Sequence, residues 1–171
     1  MIQIEKSTPL RVIRDLGKDC KMCGSCCRHG AGMLIEEDLK RIARFLSVDA
    51  EKLKKNFLER VEMFNTKAWK PRLVKGGKPY GTCVFYDSKK GCEIHAAKPL
   101  QCAISNCKEY GEQLIQWFYL RYLVDPNDPE SVRQWASYLK HKDWVIKGGN
   151  LDELVPDKEK LKKILSYGIL K

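Results

Sequence analysis

A chain of 171 residues with 43% hydrophobic and 32% charged residues has the composition of a soluble globular protein, not of a disordered one. No apolar run approaches the roughly 18–20 residues that span a bilayer, and Met1–Lys6 is too polar to begin a secretory signal, which predicts a cytoplasmic protein. The formal charge of +10 is uneven: residues 1–107 hold 21 Lys/Arg against 12 Asp/Glu, and residues 108–171 hold 11 against 10.

In chain order, residues 1–19 read as an extended lead-in around Pro9 and Val12/Ile13. The stretch from Cys20 to Gly30 is too rich in Cys and Gly for regular structure and reads as a ligand-bearing loop. Leu39, Ile42, Ala43 and Leu46 recur at helical spacing, predicting a helix over 36–46 with Glu36, Glu37 and Asp38 in its first turn. Asp49 is the N-cap of a second helix running through Leu53, Phe57 and Val61. Residues 72–75 and 82–86, separated by Gly76-Gly77, predict a short hairpin, and a turn over 87–91 returns through Cys92. Pro99 opens a helical turn carrying Cys102. Residues 113–124 are apolar nearly all round and predict a buried helix, Asp128-Pro129 starts another that reaches about Lys140, and a last one spans 157–165. The expected fold class is α+β, mainly helical. A small metal-centred cysteine-cluster module with a short β-hairpin (1–107) carries a helical extension (108–171) packed on it as one compact domain.

The chemistry lies in eight cysteines: Cys20, Cys23, Cys26, Cys27, Cys83, Cys92, Cys102 and Cys107. In a reducing cytoplasm they read as metal ligands sooner than as four disulfides. A C-x2-C turn points two sulfurs to one side, and a third Cys at the same interval makes a loop able to wrap a cubane 4Fe–4S cluster. Zinc modules more often use two separated pairs, so the spacing favours iron–sulfur, although thiolates suit either metal. Cys26 and Cys27, adjacent in a loop backbone, are expected to face different partners, and eight sulfurs suffice for two four-ligand sites. Cys27, Cys83, Cys92 and one of Cys102 or Cys107 are the expected second group.

C-x2-C-x2-C-C, then Cys83-Val84-Phe85-Tyr86-Asp87, Gly91-Cys92-Glu93-Ile94-His95 and Lys98-Pro99-Leu100-Gln101-Cys102, together resemble the YkgJ-type cysteine-cluster family. Its CxxCxxCC domain is described as chelating zinc or iron. The match in order and local texture covers roughly residues 20–107. The resemblance implies metal chelation, often as iron–sulfur, with no agreed activity. Flagellin lysine methylases carry a similar cluster. The family usually has Tyr where this chain has His95, which makes His95 a substituted packing residue. It usually has Arg-Pro where this chain has Lys98-Pro99, which keeps a charge but not a bidentate fork.

Three functional classes stay open. A cysteine-cluster protein with a structural or redox metal centre follows from the eight-Cys pattern. A basic zinc module docking on RNA or a ribonucleoprotein follows from the excess of lysine, which equally serves to balance thiolate charge. A cluster-dependent methyltransferase or oxidoreductase requires a cofactor loop, but Gly76-Gly77 and Gly148-Gly149 fit turns better. No membrane partner is expected.

Overall fold

The computed structural model describes residues 2–18 and 20–168. The architecture is α+β and mainly helical, and its strands pair two by two in antiparallel fashion.

The first element corrects the expected extended lead-in, because residues 10–17 form a helix, α1 (Leu10–Gly17). Pro9 is held extended before it, and Leu10, Ile13 and Leu16 recur every third residue, with Ile13 fully buried. At Gly17 an added Cβ would lie 2.5 Å from Ile104 Cα, so only glycine lets α1 lie against the backbone at residue 104. The cysteine loop contains one helical turn, α2 (Ser25–His29), entered through Gly24 at φ 75°. α3 (Glu36–Phe45) forms as its periodicity predicts, burying Leu39, Ile42 and Ala43.

α4 (Ala50–Phe57) is capped by the Asp49 side chain but ends four residues short of Val61. From Leu58 the chain instead makes the largest hairpin, β1 (Leu58–Met63) against β2 (Thr66–Pro71). Its two turn residues, Phe64 and Asn65, both have positive φ (53° and 57°). This is the conformation that matches strand twist and that Asn tolerates. Tertiary contacts hold it there. Phe64 packs on Trp135, Tyr119 and Tyr138, and Asn65 binds Asp128 and Gln134. The predicted hairpin also forms, with β3 (Leu73–Val74) on β4 (Thr82–Cys83), and β5 (Tyr86–Asp87) pairs with β6 (Gly91–Cys92) across the predicted turn. The remaining helices are α5 (Leu100–Ile104), α6 (Gly111–Tyr122), α7 (Pro129–Leu139), the unanticipated short α8 (Leu151–Leu154) and α9 (Lys158–Leu165).

Two apolar cores result. One gathers Trp117, Phe118 and Trp135 with Ile13, Met33, Phe64, Leu100 and Ile104. The other gathers Leu34, Leu39, Ile42, Leu53, Leu58, Phe85 and Ile94. The indole N–H groups of Trp117 and Trp135 donate to the carbonyls of Thr8 and Gly149, so the buried rings leave no polar cost.

A buried carboxylate ties α3 to α5. Asp38, with no exposed surface, accepts from Ile35 N (3.0 Å), Leu100 N (2.8 Å) and Arg41 Nη2 (2.5 Å), and Arg41 also donates to Lys98 O (2.8 Å). Asp38→Ala leaves two backbone donors and a guanidinium without their acceptor and is expected to cost about 3 kcal/mol. Urea unfolding checks this. A loss below about 1 kcal/mol would show that water replaces the carboxylate at little cost.

Candidate metal centre

Seven of the eight predicted cysteines meet at one cavity of about 310 Å³. Cys20 and Cys23 come from the loop before α2, Cys26 and Cys27 from α2 itself, Cys83 from β4, Cys92 from β6 and Cys102 from α5. All eight cysteines are free thiols. Cys107 is exposed and is not part of the cavity wall.

Cys26 and Cys27 depart from the expectation that they face different partners. They sit on a helical turn, not in an extended loop, and both line the same cavity. Adjacent residues on a helix are about 100° apart, enough for one to be exposed (Cys26) and the other half-buried (Cys27). The cavity is therefore graded. Cys23 and Cys26 are exposed, whereas Cys20, Cys27, Cys92 and Cys102 are half-buried and Cys83 is buried.

Burial acts on the inner thiols as it acts on any group that must become charged. It pushes Cys27 and Cys102 up to about 12 and Cys83 up to about 11, and raises Cys92 as well. Neighbouring sulfurs add to this: Cys27 feels Cys26, Cys92 and Cys83, and Cys102 feels Cys83, Cys27 and Cys92. Cys26 acts on Cys27, Cys83 and Cys92, and Cys20 on Cys92, so the sulfurs around the cavity are electrostatically linked beyond the most buried ones. The sulfurs line a wall and do not converge on a point. Among the described residues, no group of three or more His, Cys, Asp or Glu is placed to hold a metal ion.

Close packing shapes the wall. At Gly32 an added Cβ would lie 2.6 Å from Cys102 Sγ and 2.9 Å from Cys102 N, while the Gly32 N–H donates to that sulfur at 3.3 Å. Gly24, in the left-handed region, lies against the Tyr86 ring, and Arg28 Nη2 donates to Tyr86 Oη (3.0 Å), tying α2 to β5. Met33 N donates to the Gln101 carbonyl oxygen Oε1 at 2.6 Å, a second clasp beside Asp38. His29 and His95 also line the cavity. His29 Nδ1 is 2.8 Å from Ser25 O, and His95 Nε2 is 3.2 Å from Lys98 Nζ. Burial, reinforced by Lys98, pushes the His95 pKa down and keeps its ring neutral. The clasping roles of Asp38 and Gln101 carry no spacing signal in the sequence, because the backbone partners Leu100 and Met33 lie 62 and 68 residues away, whereas Lys98 is signalled by its closeness to the cysteines.

The donor set suits soft or borderline metals. Among the described residues the wall carries thiols and imidazoles and no carboxylate, a set unlike the oxygen-rich ones of magnesium or calcium. Among the described residues, no helix is long and apolar enough to cross a membrane. No curated protein and no solved structure matches the chain. The model of the CxxCxxCC family, described as a putative zinc- or iron-chelating domain, matches residues 19–119, well over half the chain, and the protein belongs to that family.

Proposed function

We propose that the chain holds a polynuclear, thiolate-ligated metal centre, an iron–sulfur cluster, in the cavity walled by Cys20, Cys23, Cys26, Cys27, Cys83, Cys92 and Cys102. The observation that carries this reading is the number of sulfurs on one cavity: seven, where a single tetrahedral ion takes four. A volume of about 310 Å³ is roughly ten times the share of one water molecule in the liquid, which leaves room for a group of several atoms. The C-x2-C-x2-C run favours iron with sulfide over a pair of zinc ions. Cys27, Cys83, Cys92 and Cys102, from four different elements, form the inner ligand group; the exposed Cys23 and Cys26 lie at the mouth, with the half-buried Cys20 completing the wall.

When bound, an iron–sulfur cluster supplies electron storage and cross-links distant segments of chain. The protein's own part is to hold the thiols together: Asp38 and Gln101 fix α5 and with it Cys102, and Arg28 and Tyr86 fix α2 against β5. Residues 1–107 are the chelating module in this reading. The segment 108–171 supports it from beneath, through Trp117 and Phe118 in the same core as Leu100 and Ile104.

Anaerobic purification with elemental analysis and a visible spectrum tests the proposal. The expected result is coloured protein with acid-labile sulfide and about four iron atoms per chain. Colourless protein with about two zinc atoms replaces the cluster by a zinc pair, and one metal ion or fewer per chain overturns the polynuclear reading.

Ligand assignment has its own expected pattern. Cys83→Ser and Cys102→Ser abolish metal retention, Cys23→Ser loses only part of it, and Cys107→Ser retains all. Gly32→Ala removes no ligand yet is expected to lose most of the metal, because its Cβ collides with the Cys102 backbone and sulfur. Equal loss in Cys107→Ser and Cys83→Ser, measured as metal per chain, sinks the seven-ligand set.

A further inference from the structure

Among the described residues, Lys98 is the one lysine or arginine that lines the cavity. It is half-buried, and among the described residues no carboxylate pairs with it. Its ammonium donates to His95 Nε2 at 3.2 Å. An ammonium can only donate, so Nε2 is the unprotonated nitrogen and the ring proton sits on Nδ1. The backbone of Lys98 is held as firmly as its tip. Its carbonyl accepts from Arg41, its successor is Pro99, and the next N–H is taken by Asp38. The ammonium so held lines the thiol-walled cavity with no carboxylate among the described residues beside it.

Thiols supply negative charge once they ligate metal, since four thiolates around a divalent ion leave a net charge of −2. The field of the ammonium falls on Cys92, one of the inner four. We propose that Lys98, steered by His95 and by the Asp38–Arg41 clasp, is the charge partner of the metal centre and slows its loss. This rests on the metal-centre reading, and it assigns Lys98 as a positioning residue that acts through charge without being a ligand.

Lys98→Met keeps most of the length and removes the charge. Purified with its metal, this variant is expected to carry the wild-type amount per chain. Its metal should be released to excess chelator on the order of tenfold faster, as expected for losing one nearby opposite charge at a partly exposed site. Lys98→Arg keeps the charge and is expected to stay within about threefold of wild type. His95→Leu, which leaves the ammonium but removes its steering contact, should fall between the two. Unchanged release in Lys98→Met, or equal acceleration in the Met and Arg variants, overturns the charge-partner role. If Lys98→Met does not fold, wild-type release in His95→Leu overturns the steering and intermediate release supports it. Absence of metal from the wild-type protein sinks the underlying reading instead, so the two failures are separable.

Discussion

Much of the cavity is positioned by one buried carboxylate. Asp38 has no exposed surface, yet it is satisfied on both oxygens by two backbone N–H groups and a guanidinium. Such an ion is tolerated inside a protein because every lone pair it turns inward has a donor. Its partners belong to two elements far apart in the chain, so satisfying it brings the start of α3 against the start of α5. From that contact follow the place of Lys98, through Arg41, and the place of Cys102, two residues beyond Leu100. Gln101 repeats the device one residue along by taking the Met33 N–H. The stretch that contains Gly32 is thereby pressed onto Cys102, and that is why Gly32 has no room for a side chain. Helix pairing and sulfur geometry are thus parts of one constraint.

The cavity so built resists ionisation of its own thiols. Burial holds Cys102 at about 12, against an ordinary value of 9.0, which opposes forming that thiolate. Cys27 and Cys83 are opposed in the same way, Cys27 also by Cys26, Cys92 and Cys83, and Cys83 also by Cys92 and Cys26. Metal ligation needs the thiolates, so the free energy of binding must exceed the combined opposition. A nearby cation would lower the cost of each thiolate without competing for a coordination position. In the proposed centre, Lys98 would be one local use of the lysine excess of residues 1–107.

How much of this was legible depended on whether a signal was local. Asp49, Asp128-Pro129 and Asp157 mark helix starts by capping chemistry that needs only the next few residues, and all three stand where they were read. The α1 helix was missed because Pro9 suggested extension, although Leu10, Ile13 and Leu16 already carried the period. Beyond Phe57 the helix reading failed because the decisive partners of the Phe64–Asn65 turn are Trp135, Asp128 and Gln134, more than 60 residues away. The cysteine spacing announced chelation chemistry but not its arrangement. That α2 would be helical, and that Asp38 would be a clasp beyond its place in a favourable first turn, are outcomes of tertiary contact.

The helical turn at Ser25–His29 changes what two consecutive cysteines can do. In an extended strand Cys26 and Cys27 would serve opposite faces, and the chain would need two separate sites. On a helix they diverge by about 100°, so one turn supplies a half-buried sulfur to the inner group and an exposed one to the mouth of the same cavity. The grading follows from this single step. The inner four sulfurs come from α2, β4, β6 and α5, elements fixed by the cores and by Asp38. Of the other three, the half-buried Cys20 and the exposed Cys23 come from the loop before α2. A centre spanning both would be anchored on its buried side and reach solvent on the other. Exchange of electrons or of metal between such a centre and another molecule would have its shortest route past the exposed Cys23 and Cys26, and the rigidity that would retain the centre lies at the opposite end of the cavity.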